Sequence, residues 1–304
     1  MKKRRWKSKE SVRILRVFPR RTNATPIDEL AHIGSPDLFS NHLEIDRVHI
    51  SVTFSWDMPE AERLYKEWSA IAPVEIGGPA TGARGEDFTP GKYLKQGYVI
   101  TSRGCPNRCW FCGVWRREGG AVRELPVTEG WNILDDNLLA CSGIHIKKVF
   151  AMLSKQKHRL FFTGGLEAAR LKPWHVEELV RLKPAEIFFA YDTPDDREPL
   201  YEAGKLLKAA GFNSCNPLRA YVLIGYPGDT FEKAENRLFD CLNAGFTPMA
   251  MLYRDKTGER DPAWVKFAWP WARPAIIHSK QRERKNSEKK MGIELSEEAG
   301  EKKG

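Results

Sequence analysis

The sequence predicts an α/β protein: a partial, open (β/α)6 barrel preceded by a small α/β unit. Three observations predict it. Short apolar runs alternate with amphipathic helical stretches over about 160 residues, the pattern of a parallel sheet with right-handed crossovers. The runs number six (97–101, 131–134, 159–163, 186–190, 219–224 and 248–253), too few for a closed eight-stranded barrel. Loops with unusual chemistry follow the runs, where such sheets place their sites.

Residues 11–18 (SVRILRVF) alternate basic and apolar and read as a strand ended by Pro19. Residues 46–54 read as a second strand. Residues 58–71 read as a helix with Leu64, Trp68 and Ile71 on one side, and Val74 opens a third strand closed by Gly77 and Gly78. Together they form the small unit, 11–95. Its Gly- and Pro-rich end, 77–96, reads as a connection. Helices are expected at 144–156, 174–182, 197–210 and 230–244 of the barrel, 96–255. Beyond it, 256–278 is a Trp-rich segment expected to close the open side in extended form. Its Trp264, Trp269 and Trp271 are alternatively a stacking surface for a planar substrate. The tail, 279–304, has little to bury and is expected to be disordered.

The chain has 304 residues, 41% of them hydrophobic, enough for one large domain or two modest ones. No run reaches the ~18 apolar residues of a membrane span, so no membrane partner is expected. No apolar stretch follows the basic start, which argues against a secretory signal. Six cysteines do not make a disulfide scaffold, and the cytoplasm is the expected compartment. Of the 49 Lys and Arg, ten lie in residues 1–22 beside Glu10 alone, which leaves 39 groups of each sign elsewhere. The net charge of +9 therefore describes a basic arm over a neutral body. Such an arm is either a solvated terminus or a non-specific grip on nucleic-acid phosphate.

The central signal is Gly104-Cys-Pro-Asn-Arg-Cys-Trp-Phe-Cys, which sets Cys105, Cys109 and Cys112 in CxxxCxxC spacing. Three thiolates in eight residues can wrap one face of an iron–sulfur cube. The usual cube takes four, so three leave one iron open. A structural zinc site needs four ligands, and Cys141 and His145 are available to complete one.

This loop resembles that of the radical S-adenosylmethionine (SAM) superfamily, CxxxCxΦC, with Phe111 as the aromatic residue. The resemblance covers about half of the chain, residues 96–255. It implies a [4Fe–4S] cluster on Cys105, Cys109 and Cys112, with SAM chelating the fourth iron. It also implies reductive cleavage of SAM to methionine and a 5′-deoxyadenosyl radical, with flavodoxin or ferredoxin as reductant.

Other strand ends are similar to the family's. Asp135-Asp136-Asn137 resembles the Asp-Asp-Asn of the methylthiotransferase branch and departs from the commoner Gly-Gly-Glu. It is expected either to contact SAM or to cap the following helix. Gly164-Gly165-Leu-Glu167 either approaches the ligand, with Glu167 on the ribose or amino group, or forms a tight turn. Tyr191 and Asp192 face ribose or substrate, or Asp192 caps the helix after Pro194. Ile224-Gly225 is similar to the family's adenine-packing element, and Asp229 is expected to cap helix 230–244.

The N-terminal unit resembles a shortened cobalamin-binding Rossmann domain. The Asp-x-His-x-x-Gly that ligates cobalamin is not present, since Asp28 and His32 stand four apart. No cobalamin is expected, and His32 reads as a surface or packing residue. Cys215 and Cys241 read as buried thiols. The rival of a different class is a nucleic-acid-binding protein with a structural metal and the basic arm. The two combine in a radical enzyme that modifies nucleic acid.

Overall fold

The structure is a computed structural model that describes residues 12–38, 44–212, 218–255, 257–284 and 286. The distal part of the basic arm (1–11), most of the tail (287–304) and Cys215 lie outside the described residues. The chain divides into two units, Met1–Lys157 with Lys256–Gly258, and His158–Asp255 with Glu259–Gly304. The division falls inside the stretch that the sequence reads as one barrel. Both units are mixed α/β with parallel sheets. Among the described residues, no helix is long and apolar enough to cross a membrane.

The first unit opens with β1 (Ile14–Phe18), β2 (Ala31–Ile33) and β3 (Arg47–Ser51), followed by α1 (Met58–Trp68) and β4 (Val74–Gly77). These strands make a parallel sheet in the order β2-β1-β3-β4. The short strand β2 was not legible in the sequence. Helix α1 carries a proline in its first turn and buries Ala61, Leu64 and Trp68, one stripe at helical spacing. That stripe packs on Leu15, Val17, Val48, Ile50 and Val52 of the sheet side. Ile71, expected on the same face, lies beyond the helix and is only partly buried. His32 packs its ring edge-on to Trp68, 5.0 Å between centroids, as a packing histidine does.

The arm is not free over its whole length. Arg16 is buried within β1, pairs with Asp28, and donates to the carbonyls of Gly91 (3.0 Å) and Lys92 (2.6 Å). It thereby ties the 77–96 connection to the sheet. Arg20 pairs with Asp57, which is also buried. Residues 12–22 thus belong to the folded unit through Arg16, which meets an internal acid and carbonyls, and Arg20, which reaches the buried Asp57, while Arg13 and Arg21 stay exposed.

The rest of the first unit contains β5 (Tyr98–Val99), β6 (Ser102–Arg103), α2 (Val114–Arg117), β7 (Arg123–Glu124), β8 (Asn132–Ile133) and α3 (Gly143–Leu153). Strands β5 and β8 pair in parallel, and β6 and β7 antiparallel. The parallel pairing sends residues 100–105 and 134–137 away from the same edge. Helix α3 starts at Ser142, whose hydroxyl accepts the His145 N–H, and it buries Ile146, Val149, Phe150 and Leu153.

The second unit holds β9 (Phe161–Leu166), α4 (Pro173–Leu182), β10 (Glu186–Ala190), α5 (Arg197–Ala209), β11 (Leu218–Ile224), α6 (Phe231–Asn243), β12 (Thr247–Leu252) and α7 (Pro262–Ala268). Its strands pair in parallel in the order β12-β11-β10-β9. Two expectations are corrected here. Residues 262–268 are helical and not extended, started by Asp261, whose side chain accepts the Ala263 N–H, with Pro262 in the first turn. The helical state continues over 274–284, so the tail is ordered at its start. Trp271 is fully buried, edge-on to Phe239, and is not available to stack on a ligand.

Candidate metal centre

The cysteine loop leaves β6 through Gly104, at φ +90°. A Cβ there would lie 2.4 Å from the Ala121 carbonyl oxygen, so the position demands glycine on both counts. All three loop cysteines are half-buried. The loop turns tightly, with Cys112 N–H donating to the Cys109 carbonyl at 3.1 Å. Helix α2 fastens it from the other side. Trp115 Nε1 donates to the Cys109 carbonyl (3.0 Å), and Arg116 donates to the carbonyls of Cys112 (3.0 Å) and Trp110 (3.3 Å). Phe111 stands edge-on to the exposed Trp110 at 5.4 Å. Burial pushes the Cys112 thiol up, and the nearby Cys105 adds to this while the Val114 N–H opposes it.

Three consecutive side chains from the end of β8 hold the start of this loop. Asp135 is buried and accepts from Thr101 N–H (2.5 Å), Thr101 Oγ1 (2.6 Å) and Ser102 Oγ (2.8 Å). Asp136 accepts the Gly104 N–H at 2.8 Å. Asn137 directs its amide nitrogen at Cys105 Sγ, 3.4 Å away. Burial raises both carboxyls, against the hydrogen bonds that favour their charged forms. Asn137 precedes the 3-10 turn Leu138–Ala140 but makes no side-chain cap, so the capping alternative does not hold there.

Beside the loop lies Glu118, a residue that nothing in the sequence singles out. It is buried, accepts from Gly85 N–H (3.1 Å) and Arg117 Nε (2.9 Å), and faces Arg123 at 3.6 Å. Burial alone would raise its carboxyl, but Arg117 and the Gly85 N–H hold it below the ordinary value. Thr101 and Ser102 were missed as well. Their signal was their place just before Gly104-Cys105, opposite a pair of acids.

Cys141 and His145 do not join the loop thiols. The structure groups them with Asp135, and the three ligand atoms lie within 4.8 Å of one another. Among the described residues, the loop thiols form no group that tight. Around a single zinc ion, at about 2.3 Å per Zn–S bond, ligating sulfurs lie about 3.8 Å apart.

The second unit places its expected residues as follows. Gly164 and Gly165 lie within β9, not in a loop after it. Glu167 follows the strand and pairs with Arg170 at 2.5 Å. The Tyr191 hydroxyl donates to Asp240 at 3.1 Å. Asp192 accepts the Leu223 N–H at 2.9 Å, and burial pushes its carboxyl up to about 7. It does not cap the following helical turn. Thr193 does, in a capping box with Asp196. Ile224 is fully buried, and Gly225, at φ +70°, is covered by Leu252 and Trp264. Asp229 is not the cap of α6 either. Thr230 takes that place, while Asp229 accepts the Gly225 N–H (2.9 Å) and pairs with Arg237 at 2.7 Å.

Comparison with known protein families finds none that matches the chain, and comparison with curated proteins finds no similar one.

Proposed function

We propose that the chain is a radical SAM enzyme whose loop thiols Cys105, Cys109 and Cys112 hold a [4Fe–4S] cluster, with SAM on the remaining iron. One observation carries the reading. The cysteine loop begins beyond the end of β5, and Asp135, Asp136 and Asn137, from the end of the parallel neighbour β8, hold its start. The carboxyl ends of parallel strands are where α/β sheets assemble their chemistry. The succession of six strands and intervening helices from β5 to β12, with the β6–β7 pair inserted, supports a partial (β/α)6 barrel.

The donor set suits the cluster. Three half-buried thiols provide soft ligands, and their protons leave on binding metal. The Asn137 amide provides a hydrogen bond to the Cys105 sulfur, a kind of contact that tunes iron–sulfur potentials. When bound and reduced, such a cluster would supply the electron that cleaves SAM to methionine and a 5′-deoxyadenosyl radical, which takes a hydrogen atom from a substrate. The protein's own work is positioning and exclusion of water. Asp136 fixes the Gly104 backbone, α2 fixes the loop carbonyls, and Phe111 packs edge-on against Trp110 within the loop. The electron would come from a cytoplasmic donor of the flavodoxin or ferredoxin class.

The test is product formation. Anaerobically reconstituted protein with dithionite and SAM should yield 5′-deoxyadenosine, and Cys109→Ala should yield none. Wild-type protein that carries a full cluster and forms no 5′-deoxyadenosine would overturn the proposal.

A further inference from the structure

We propose that Asp135, Cys141 and His145 form a second metal site, for one borderline-soft divalent ion such as zinc, separate from the loop thiols. A carboxylate oxygen, a thiol sulfur and an imidazole nitrogen meet there within 4.8 Å. Tetrahedral zinc wants such atoms about 3.3–3.8 Å apart, so closing the site takes shifts of about 1 Å. The three residues come from one eleven-residue stretch whose backbone is already pinned. Asp135 follows β8. Cys141 ends the turn Leu138–Ala140, with its N–H on the Leu138 carbonyl at 3.1 Å. His145 sits in the first turn of α3, which Ser142 caps.

The surroundings fit an ion better than they fit three unrelated side chains. Thr101 Oγ1 lies 2.6 Å from Asp135 Oδ2 and 3.2 Å from His145 Nε2, so a fourth donor atom, an oxygen, already bridges the carboxylate and the imidazole. On the far side of the imidazole, Nδ1 faces Glu124 Oε2 at 3.7 Å, and Glu124 is itself fixed by the Ser142 N–H at 2.7 Å. A carboxylate behind a ligating histidine sets its tautomer and orientation in metal sites. One thiolate, one carboxylate and one neutral imidazole leave a divalent ion with no net charge, the set easiest to bury. His145 also lines an open cleft of about 530 Å³ with Leu125, Glu129, Lys148 and Met152. A metal here would lock Thr101 and the end of β8 together, directly beneath the start of the cysteine loop.

The inference does not depend on the cluster, and its test separates the two. Full-length protein is loaded with zinc, dialysed against metal-free buffer, reconstituted with iron, and its metals are counted. Wild type should retain one zinc per chain. Cys141→Ser should lose zinc and keep iron, whereas the triple variant Cys105→Ser, Cys109→Ser, Cys112→Ser should lose iron and keep zinc. Cobalt added to the triple variant should give a sulfur-to-cobalt charge-transfer band that the further change Cys141→Ser removes. Glu124→Gln, at the rim, should weaken zinc about tenfold or more without disturbing the fold. Absence of retained zinc in folded wild type, or zinc and a cobalt band unchanged by Cys141→Ser, overturns the site. Should Cys141→Ser fail to fold, zinc affinity unchanged in Glu124→Gln overturns it instead.

Discussion

The amide nitrogen of Asn137 lies 3.4 Å from the sulfur of Cys105. In the reading of the loop as a cluster site, this contact stabilises electron density on one ligating sulfur, more so when the cluster is reduced. Asn137→Ala should therefore still bind iron. Its reduction potential should fall by an amount on the order of tens of millivolts. Redox titration followed by electron paramagnetic resonance checks this, and an unchanged potential would count against the contact.

Asp135 is the loop's anchor whether or not it also holds a metal. It accepts three hydrogen bonds from Thr101 and Ser102, both buried. Asp135→Ala strands those donors, at a cost of about 2–4 kcal/mol. A urea midpoint well below that of wild type is the expected result.

Gly104 carries a steric constraint. With φ at +90° and the Ala121 carbonyl 2.4 Å from the place of a Cβ, Gly104→Ala must move the backbone beside Cys105. The expected cost is about 1–3 kcal/mol, concentrated in the loop. Iron per chain after reconstitution should drop sharply while far-ultraviolet circular dichroism changes little.

Asp192 gives the second unit a pH dependence. Burial raises its carboxyl to about 7, above the value it has in an unfolded chain. Between about pH 4 and pH 7 the folded state thus holds a proton that the unfolded state has lost, and stability falls as pH rises through that window. Asp192→Asn keeps the oxygen that accepts the Leu223 N–H and removes the titration. Denaturation of wild type and variant at pH 5 and pH 8 should show the variant gaining on wild type at the higher pH, by a few kcal/mol at most.

Asp229 and Arg237 form a buried ion pair in the same unit, 2.7 Å apart. Removing one partner leaves a buried charge uncompensated, so Asp229→Ala should lose about 3–5 kcal/mol. The double change Asp229→Leu with Arg237→Met should lose less than the single one. Equilibrium unfolding of both variants checks the order.

The strands and helices that the sequence disclosed are those whose periodicity runs long enough to read. Leu64 and Trp68 on α1 and the apolar run of β11 are examples. Strands β6 and β7 span two polar residues each and, unlike the equally short β5 and β8, lie in no apolar run. Gly164-Gly165 looked like a loop, yet the pair lies inside β9. The register there shifts, with Phe162 opposite Ile187 and Leu166 opposite Phe189, so a bulge absorbs the glycines. Asp261-Pro262 carried a helix-start signal that the surrounding tryptophans obscured.

At the site, the spacing of Cys105, Cys109 and Cys112 and the acids 135–136 stood out in the sequence. Which partners those acids take did not, because direction is set by the pairing of β5 with β8. For the same reason the meeting of Cys141 and His145 with Asp135, rather than with the loop, emerged only in three dimensions. Local capping was misassigned by one residue twice. Thr193 and Thr230 cap where Asp192 and Asp229 were expected, because each aspartate is drawn inward to a backbone N–H, of Leu223 and of Gly225.

The central claim is that three thiols hold a four-iron cluster with one iron left for SAM. Electron paramagnetic resonance of the anaerobically reconstituted, dithionite-reduced protein, recorded before and after SAM is added, tests it most directly. The account predicts about four irons per chain and a spectrum that changes when SAM binds. A four-iron cluster whose spectrum SAM leaves unchanged, or one that persists when all three cysteines are replaced by serine, would contradict it.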